Sequence, residues 1–392
     1  MLRTLAVAGY RSLRDVVFPL GRLTVVTGAN GSGKSSLYRA LRLLSDCGQG
    51  RVIGSLAREG GLQSVLWAGP ETLGGARRTG AVQGTVRSGP VSLRLGFAAA
   101  EPDFGYLVDL GLPVAYRSAF DRDPEVKRET VFSGPLMRPT STLVRRTRPL
   151  VEVRTPTGWE PVTDRLPSFR SMLTEFADPD RAPELAAVRA RIRDWRFYDG
   201  FRVDAHAPAR LPQVGTRTPV LADDGSDLAA ATQTILEQGA GDLERAVADA
   251  FDGAQIAVSV TDGLFDVTLR QPGMLRPLRS AELSDGTLRY LLWAAALLTV
   301  DPPALMVLNE PETSLHPQLL PPLARLVSRA AERTQVIVVS HARPLIDGLG
   351  VRAPGDDEPA DRIAVELIKG LGETRVEGQG LLTTPPWNWG SR

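Results

Sequence analysis

The segment that decides the fold is Gly28-Ala29-Asn30-Gly31-Ser32-Gly33-Lys34-Ser35, which fits the pattern GxxxxGK[ST]. An apolar, β-branched stretch at 23–27 precedes it, and a helix pattern with regularly spaced leucines follows over 34–45. The glycines allow backbone N–H groups to turn inward around phosphate oxygens, and the helix N-terminus adds its dipole. Lys34 is placed to reach the β- and γ-phosphates, and the Ser35 hydroxyl to ligate magnesium. The segment therefore predicts a nucleotide phosphate site.

Composition excludes several classes of protein. The 392 residues carry 46 basic and 45 acidic side chains, so the net charge of +1 gives no overall attraction for nucleic acid. Cys47 is the single cysteine, which excludes an internal disulfide and every cysteine-rich metal site. The N-terminus lacks a signal-peptide pattern, and no apolar stretch is long enough to span a bilayer. We therefore expect a cytoplasmic protein without a membrane partner.

Strand and helix patterns alternate toward both ends of the chain. The apolar strand patterns there lie at 2–9, 13–18, 23–27, 305–308, 336–339 and 363–368. The helix patterns lie at 34–45, 184–195, 226–238, 242–252, 284–298 and 317–332. This alternation predicts a mostly parallel sheet flanked by helices, formed by residues 1–80 and 220–392 as one discontinuous α/β domain. Residues 81–219 are expected to be an inserted lobe with antiparallel strands and a helical portion.

A second chemical motif ends the strand pattern at 305–308. Asn309 and Glu310 follow four apolar residues, the arrangement of a Walker B strand whose carboxyl end faces a ligand. The usual first polar residue is an aspartate that holds magnesium through water. The amide oxygen of Asn309 can accept from such a water but carries no charge. Glu310 is the candidate general base for an attacking water, although the segment alone fits equally a buried strand that ends in a polar loop.

The order of the remaining motifs resembles that of ABC-type ATPases. Pro311–Pro317 follows Walker B where those proteins have a D-loop, and His341 ends the next strand pattern at the place of their switch histidine. Leu283-Ser284-Asp285-Gly286-Thr287 opens the helix before Walker B, at the place of the signature sequence. In those ATPases the signature binds the γ-phosphate held by the opposite subunit. The resemblance therefore implies a homodimer with ATP at its interface, contacted by Ser284 and Gly286.

Together with Tyr10-Arg11-Ser12-Leu13 in the opening strands, these motifs resemble those of RecF/SMC-like bacterial ATPases of the AAA-21 group. That group is related to the ATPase half of OLD-family nucleases. The resemblance covers residues 1–45 and 280–345. The sequence shows neither the Toprim nuclease domain of the OLD enzymes nor the long coiled coil of SMC proteins, which argues against direct DNA cutting or tethering.

The implied site uses ATP and Mg²⁺ as cofactors. The expected ATP-binding residues are Asn30, Gly31, Ser32, Gly33, Lys34, Ser35 and Ser36, with Ser284 and Gly286. The expected catalytic residues are Glu310, His341 and Lys34. The expected magnesium site consists of Ser35, Asn309 and Gln63. Gln63 stands where a Q-loop glutamine would sense magnesium, and it fits a polar surface residue equally well.

Basic and aromatic residues raise three further alternatives. Five arginines form a strip that we interpret as a solvated face in preference to a phosphate-binding surface: Arg138, Arg145, Arg146, Arg148 and Arg154. Four aromatic residues are expected in the core instead of stacking on bases: Trp195, Phe197, Tyr198 and Phe201. Arg11 is interpreted as a solvated strand residue in preference to a phosphate ligand.

Two mechanisms stay open. In the first, ATP closes the dimer, hydrolysis opens it, and the inserted lobe transmits this motion to DNA or a protein partner in DNA repair or phage defence. In the second, Asn309 makes hydrolysis slow, and the protein is an ATP-dependent switch for a separate effector protein. A transporter subunit is a third class, against which the LSDGT and ETSLHP variants and the large insertion argue.

Overall fold

The computed structural model describes residues 1–70, 90–113, 119–176, 178–353, 361–380 and 382–390. The first strands are β1 (Leu2–Tyr10), β2 (Leu13–Pro19), β3 (Leu23–Gly28), β4 (Leu93–Ala99), β5 (Phe104–Gly111), β6 (Glu125–Ser133), β7 (Thr142–Thr147), β8 (Leu150–Thr155) and β9 (Gly158–Thr163). The later strands are β10 (Arg196–Tyr198), β11 (Gln213–Val214), β12 (Gln255–Thr261), β13 (Leu264–Arg270), β14 (Leu278–Arg279), β15 (Leu305–Asn309), β16 (Gln335–Val339), β17 (Arg362–Gly370) and β18 (Glu373–Val376). The α-helices are α1 (Lys34–Gly48), α2 (Val52–Arg58), α3 (Leu62–Val65), α4 (Met172–Glu175), α5 (Pro183–Arg193), α6 (Leu228–Gln238), α7 (Asp242–Ala250), α8 (Asp285–Leu297), α9 (Leu320–Arg333) and α10 (Arg343–Leu349).

One sheet carries the predicted nucleotide motifs. Its strand order is β10-β15-β16-β3-β17-β18, and its neighbouring strands are parallel except for β17 and β18. The register aligns Asn309 with Val339 and Val339 with Val26, so β15, β16 and β3 end at the same edge. Burial on both faces explains why these strands are almost entirely apolar. The predicted, mostly parallel α/β sheet is thereby confirmed.

The two faces of this sheet pack against different cores. Because side chains alternate along a strand, Leu305 and Val307 join a core that also contains the antiparallel sheet, α1 and α5. Met306 and Leu308 join the opposite core, formed with α6, α7, α8, α9 and α10. The four aromatic residues predicted to be in the core are all buried: Trp195, Phe197, Tyr198 and Phe201. A small sheet with the order β11-β13-β12, in which β14 also pairs with β13, lies beside α6 and α7.

Gln335 joins the parallel sheet to an antiparallel sheet of order β2-β1-β4-β5-β6-β7-β8-β9. Its side-chain amide donates to the carbonyls of Leu2 and Gly21, each at 2.8 Å, and accepts from the Leu2 N–H at 2.9 Å. The side chain is buried, so these hydrogen bonds are not in competition with water. The start of β16 is therefore bound to the start of β1, and the two sheets have a fixed mutual position.

Strand pairing crosses the predicted domain division at two points. β1, in the segment 1–80, pairs with β4, in the segment 81–219. β10, also in the segment 81–219, pairs with β15 of the parallel sheet. The division at residues 80 and 220 stays a prediction, and the described sheets are continuous across it.

The arginine-rich stretch contains β7, β8 and β9. Arg138, Arg148 and Arg154 are exposed, as expected of a solvated face, whereas Arg146 corrects that interpretation. Arg146 is fully buried, and its Nη1 donates to Glu129 Oε2 at 2.8 Å. The remaining Arg146 donors bind main-chain carbonyls of Arg148 and Pro167. Glu129 also accepts from the Tyr106 hydroxyl at 2.6 Å. Arg146 is thus a structural residue, because a buried charge is tolerated only when its partners are complete.

We predict that Arg146→Met lowers the free energy of unfolding by about 3–5 kcal/mol, because it leaves the Glu129 carboxylate buried without its cation. Arg145→Met is the matched control. Arg145 lies one residue away, is 42% exposed, and pairs with Glu152, so its loss should cost about 1 kcal/mol or less. Urea denaturation of both variants measures the difference. Equal effects of the two substitutions would contradict a special role for Arg146.

Candidate nucleotide and magnesium site

The glycine-rich loop connects β3 to α1 and is shaped by close backbone approaches. Gly33 has φ 116°, and a Cβ there would lie 2.3 Å from Thr374 Oγ1. Gly28 has φ 139°, and a Cβ there would lie 2.3 Å from the Leu367 carbonyl oxygen. Both positions therefore require glycine, for conformation and for space. The loop is held against β17 and β18, the last strands of the sheet.

Lys34 and the loop serines have the positions that a phosphate site requires. The Lys34 ammonium donates to the carbonyls of Gly28 at 2.7 Å and Ala29 at 3.2 Å, so it lies within the loop. Ser32 is buried, and its Oγ has no hydrogen-bond partner among the described residues. Ser35 is exposed in the first turn of α1. A buried unpartnered hydroxyl, an enclosed ammonium and an open hydroxyl fit a nucleotide phosphate with its magnesium ion.

Thr374 supports the loop from behind, and sequence reasoning missed it. Its Oγ1 lies 2.6 Å from the Ser32 carbonyl oxygen and 2.8 Å from Ser12 Oγ, and its N–H donates to the Ser12 carbonyl. Ser12 belongs to the turn between β1 and β2, where Arg11 donates to Glu59 Oε2 at 2.5 Å. Arg11 is thus half-buried and paired, which corrects its interpretation as a solvated strand residue.

Glu310 directly follows β15 and has a strained backbone. Its φ of 47° lies in the left-handed region, which costs a residue with a side chain about 1 kcal/mol or more. Its N–H donates to the Val339 carbonyl at 2.8 Å, which holds this conformation beside the end of β16. The carboxylate is 43% exposed, and Oε1 lies 3.8 Å from Nδ1 of His341. The two predicted catalytic residues are therefore neighbours at the edge of the sheet.

Glu312 connects the predicted D-loop to the turn that contains His341. Its Oε1 accepts from Ser340 Oγ at 2.7 Å, from the His341 N–H at 3.0 Å and from the Ala342 N–H at 3.2 Å. The same oxygen lies 3.4 Å from His341 Nδ1. Glu312 is buried, whereas Glu310 is not. One carboxylate thus fixes the position of His341, and the other faces the space in front of the sheet.

Asn309 has a charged neighbour that sequence reasoning did not identify. Its Nδ2 donates to Oδ1 of Asp199 at 2.7 Å. Asp199 directly follows β10, which pairs with β15 in parallel so that Tyr198 lies beside Leu308. The sequence contains one signal that could have identified Asp199, a carboxylate directly after a short aromatic strand. Asp199 also acts on Tyr38 of α1. Burial raises the pKa of the Tyr38 phenol well above its usual value, and the Arg42 guanidinium lowers that pKa in part. The charge of Asp199 adds to the increase.

The predicted signature segment is held by two arginines. Arg210, which is buried, donates to the carbonyls of Val203 at 2.8 Å and Leu283 at 2.7 Å and pairs with the Asp285 carboxylate at 2.5 Å. Arg289 of α8 donates to the Thr313 carbonyl in the D-loop at 2.7 Å. The signature and the D-loop are therefore one connected surface within the chain.

Ser284 caps α8, since its side chain accepts from the Thr287 N–H at 3.2 Å. Ser284, Gly286 and Thr287 line a surface pocket of about 560 Å³ together with His316 of the D-loop.

Gln63 lies exposed on α3, next to the pairing of Leu66 with Tyr10. Its part in binding magnesium stays a prediction.

The parallel sheet, with the glycine-rich loop after β3 and polar residues after β15 and β16, has the fold of a P-loop ATPase head of the ABC type. Residues 23–347 match the AAA_21 family model, described as "AAA domain, putative AbiEii toxin, Type IV TA system". The chain belongs to this family. Within the described ranges, each helix is too short or too polar to cross a lipid bilayer.

Solved structures and one nuclease are also similar to the chain. The SMC head bound to the C-winged helix domain of ScpA is 13% identical with a TM-score of 0.52, over 97% of this chain and 98% of that chain. The SMC head domain from Thermotoga maritima is 14% identical with a TM-score of 0.45, over 97% and 99%. At such identity the first likeness shows the fold alone. The OLD nuclease of Thermus scotoductus (strain ATCC 700910 / SA-01) is 46% identical over 44 residues, 11% of this chain and 8% of the nuclease.

We predict that Glu312→Ala lowers the free energy of unfolding by about 2–3 kcal/mol, because three buried or half-buried donors lose their acceptor. Glu310→Ala is the matched control two residues away. The Glu310 side chain is 43% exposed, so its removal should change stability by about 0.5 kcal/mol or less. Chemical denaturation of both variants measures the contrast. A Glu312→Ala protein as stable as the control would show that the hydrogen bonds to Glu312 contribute little.

Proposed function

We propose that the protein binds ATP with Mg²⁺ at the glycine-rich loop and hydrolyses it. The observation that supports this proposal is the common edge of β3, β15 and β16. The loop that contains Lys34 follows β3 there, and Glu310 and His341 lie 3.8 Å apart after β15 and β16. On binding, the Lys34 ammonium exchanges the Gly28 and Ala29 carbonyls for β- and γ-phosphate oxygens. The loop N–H groups and the N-terminus of α1 bind the same phosphates, together with the side chains of Asn30 and Ser36.

Magnesium supplies charge neutralisation at the phosphates, and this chain would hold it through Ser35, Asn309 and Gln63. Glu310 accepts a proton from the attacking water. Its exposed carboxylate is free for that role because Glu312, not Glu310, satisfies the turn at His341. His341 contacts the γ-phosphate, and its attachment to Glu312 carries the state of that phosphate to the D-loop.

We further propose that two copies of the chain enclose two ATP molecules. The pocket lined by Ser284, Gly286 and His316 is open to solvent and is separate from the chain's own glycine-rich loop in its lining residues. An N-capped helix start with free N–H groups suits the γ-phosphate of a nucleotide held by a second copy. Arg210 keeps this segment in one conformation, which lowers the entropic cost of that contact.

DNA repair or phage defence is the proposed setting, with DNA or a separate effector protein as partner. The support is the likeness to the OLD nuclease over 44 residues and the family description. A second candidate is a switch that hydrolyses ATP slowly and controls an effector protein. The observation that favours it is Asn309, whose neutral amide occupies the place of the usual Walker B aspartate.

We predict that the purified protein hydrolyses ATP, and that Glu310→Gln lowers kcat by about 10²–10⁴-fold while ATP binding persists. Lys34→Ala should instead weaken ATP binding itself, because the loop then lacks its cation. Steady-state hydrolysis with and without double-stranded DNA, beside equilibrium binding of a fluorescent ATP analogue, separates the two effects. Stimulation by DNA would support DNA as partner. ATP-dependent dimers with no turnover under either condition would instead support the slow switch.

Mixing two inactive variants tests the shared site. Lys34→Ala destroys the phosphate loop and leaves the signature intact, whereas Ser284→Arg blocks the signature with a bulky side chain and leaves the loop intact. Each variant alone should be inactive, and their mixture should recover hydrolysis, because the mixed dimer contains one complete site. An active Ser284→Arg protein, or a mixture without activity although mixed dimers form, would refute the proposed arrangement while leaving ATP binding untouched.

A further inference from the structure

We infer that Asp199 supplies the carboxylate that the Walker B position of this chain lacks, and that it acts with Asn309 as one unit toward magnesium. The inference rests on the proposed function, since it concerns the ion that accompanies the nucleotide. Neither Asp199 nor the strand before it belongs to the motifs that define the phosphate site. The inference therefore adds a positioning residue for the metal from a different part of the chain.

The register of β10 and β15 brings Asp199 and Asn309 together. β10 is the edge strand of the parallel sheet, and its Tyr198 lies beside Leu308 of β15. Asp199 follows Tyr198, and Asn309 follows Leu308. Both side chains therefore leave the sheet at its carboxyl edge, where parallel α/β proteins bind ligands. The 2.7 Å hydrogen bond between them shows that they meet there.

The hydrogen bond between Asn309 and Asp199 fixes which atom of the Asn309 amide faces away from the pair. An ionised carboxylate only accepts hydrogen bonds, so the Asn309 side chain must turn its NH₂ group toward Asp199. That orientation leaves the Asn309 amide oxygen as an acceptor for a magnesium-bound water. An aspartate at position 309 would instead put two like charges at hydrogen-bond distance. The amide and the carboxylate thus form a combination with a single negative charge, the charge that one Walker B aspartate provides.

Helix α1, which begins beside the glycine-rich loop, packs against β10. Tyr38 lies about one turn after Ser35, so the two residues are neighbours along the helix. Its ring packs edge-on against Phe197 of β10 with 5.9 Å between centroids. The Asp199 carboxylate also lies close enough to Tyr38 to act on it electrostatically. The end of β10 is therefore adjacent to the first turns of α1, which contain Ser35, the proposed magnesium ligand, so Asp199 is on the correct side of the sheet to serve that ion.

The test compares four proteins with the natural chain: Asp199→Asn, Asn309→Asp, the double variant, and Asp164→Asn as a charge-matched control. Asp164 has a 78% exposed side chain, so its variant reports the loss of one negative charge alone. The readouts are binding of a fluorescent ATP analogue in EDTA and along a Mg²⁺ titration, and Mn²⁺ bound with a non-hydrolysable analogue, counted by electron paramagnetic resonance. Neither readout depends on turnover.

We expect all five proteins to bind the analogue equally in EDTA. Asp199→Asn should need about tenfold more Mg²⁺ or Mn²⁺ for half-saturation, the usual effect of removing a supporting group at a metal site. The double variant, which returns the carboxylate to position 309, should recover most of this loss. An Asp199→Asn protein with the metal dependence of the Asp164→Asn control would overturn the inference, and so would a double variant no better than Asp199→Asn. Absence of analogue binding by the natural chain under every condition would instead refute the proposed function.

Discussion

The candidate site depends on one geometric constraint, the common ending of adjacent parallel strands. β10, β15, β16 and β3 run side by side, and the residues that follow them are separated by more than a hundred positions in some cases. Burial of both faces fixes the register, because a slip of one residue in β15 would exchange the side chains of its two cores. The same slip would carry Asn309 away from Asp199. The hydrophobic cores thus hold the polar site in alignment.

Buried polar side chains that bind main-chain groups hold the segments around the candidate site in position. Thr374 binds the carbonyl of Ser32, Glu312 binds the N–H groups of the turn at His341, and Gln335 binds the first strand to the parallel sheet. Each side chain is buried, so its hydrogen bonds have a fixed geometry and are shielded from water. Exposed residues such as Ser35 and Glu310 remain free to meet a ligand because these buried neighbours satisfy the surrounding backbone.

The sequence predicts what is encoded locally and misses what depends on distant partners. The strand and helix on either side of the glycine-rich loop, the helix that begins at Leu283–Thr287 and the strand before Asn309 are each specified by consecutive residues, and the structure has them where expected. Asp199 and Thr374 act on residues more than a hundred positions away, so no spacing rule reveals them. Arg146 shows a third case. Its charge suggested solvent, although its period-two spacing from the buried Val144 indicates the inner face of a strand.

Arg210 holds the backbone of the predicted signature segment, Leu283–Thr287, in position. Nearly all the partners of this guanidinium are carbonyl oxygens, which every amino acid possesses. Within the segment Arg210 binds the Leu283 carbonyl and the Asp285 carboxylate. A substitution of Leu283 leaves the carbonyl contact in place, a substitution of Asp285 removes one contact, and loss of Arg210 removes both. The shape of this segment therefore depends more on one arginine about seventy positions earlier in the chain than on the side chain of Leu283.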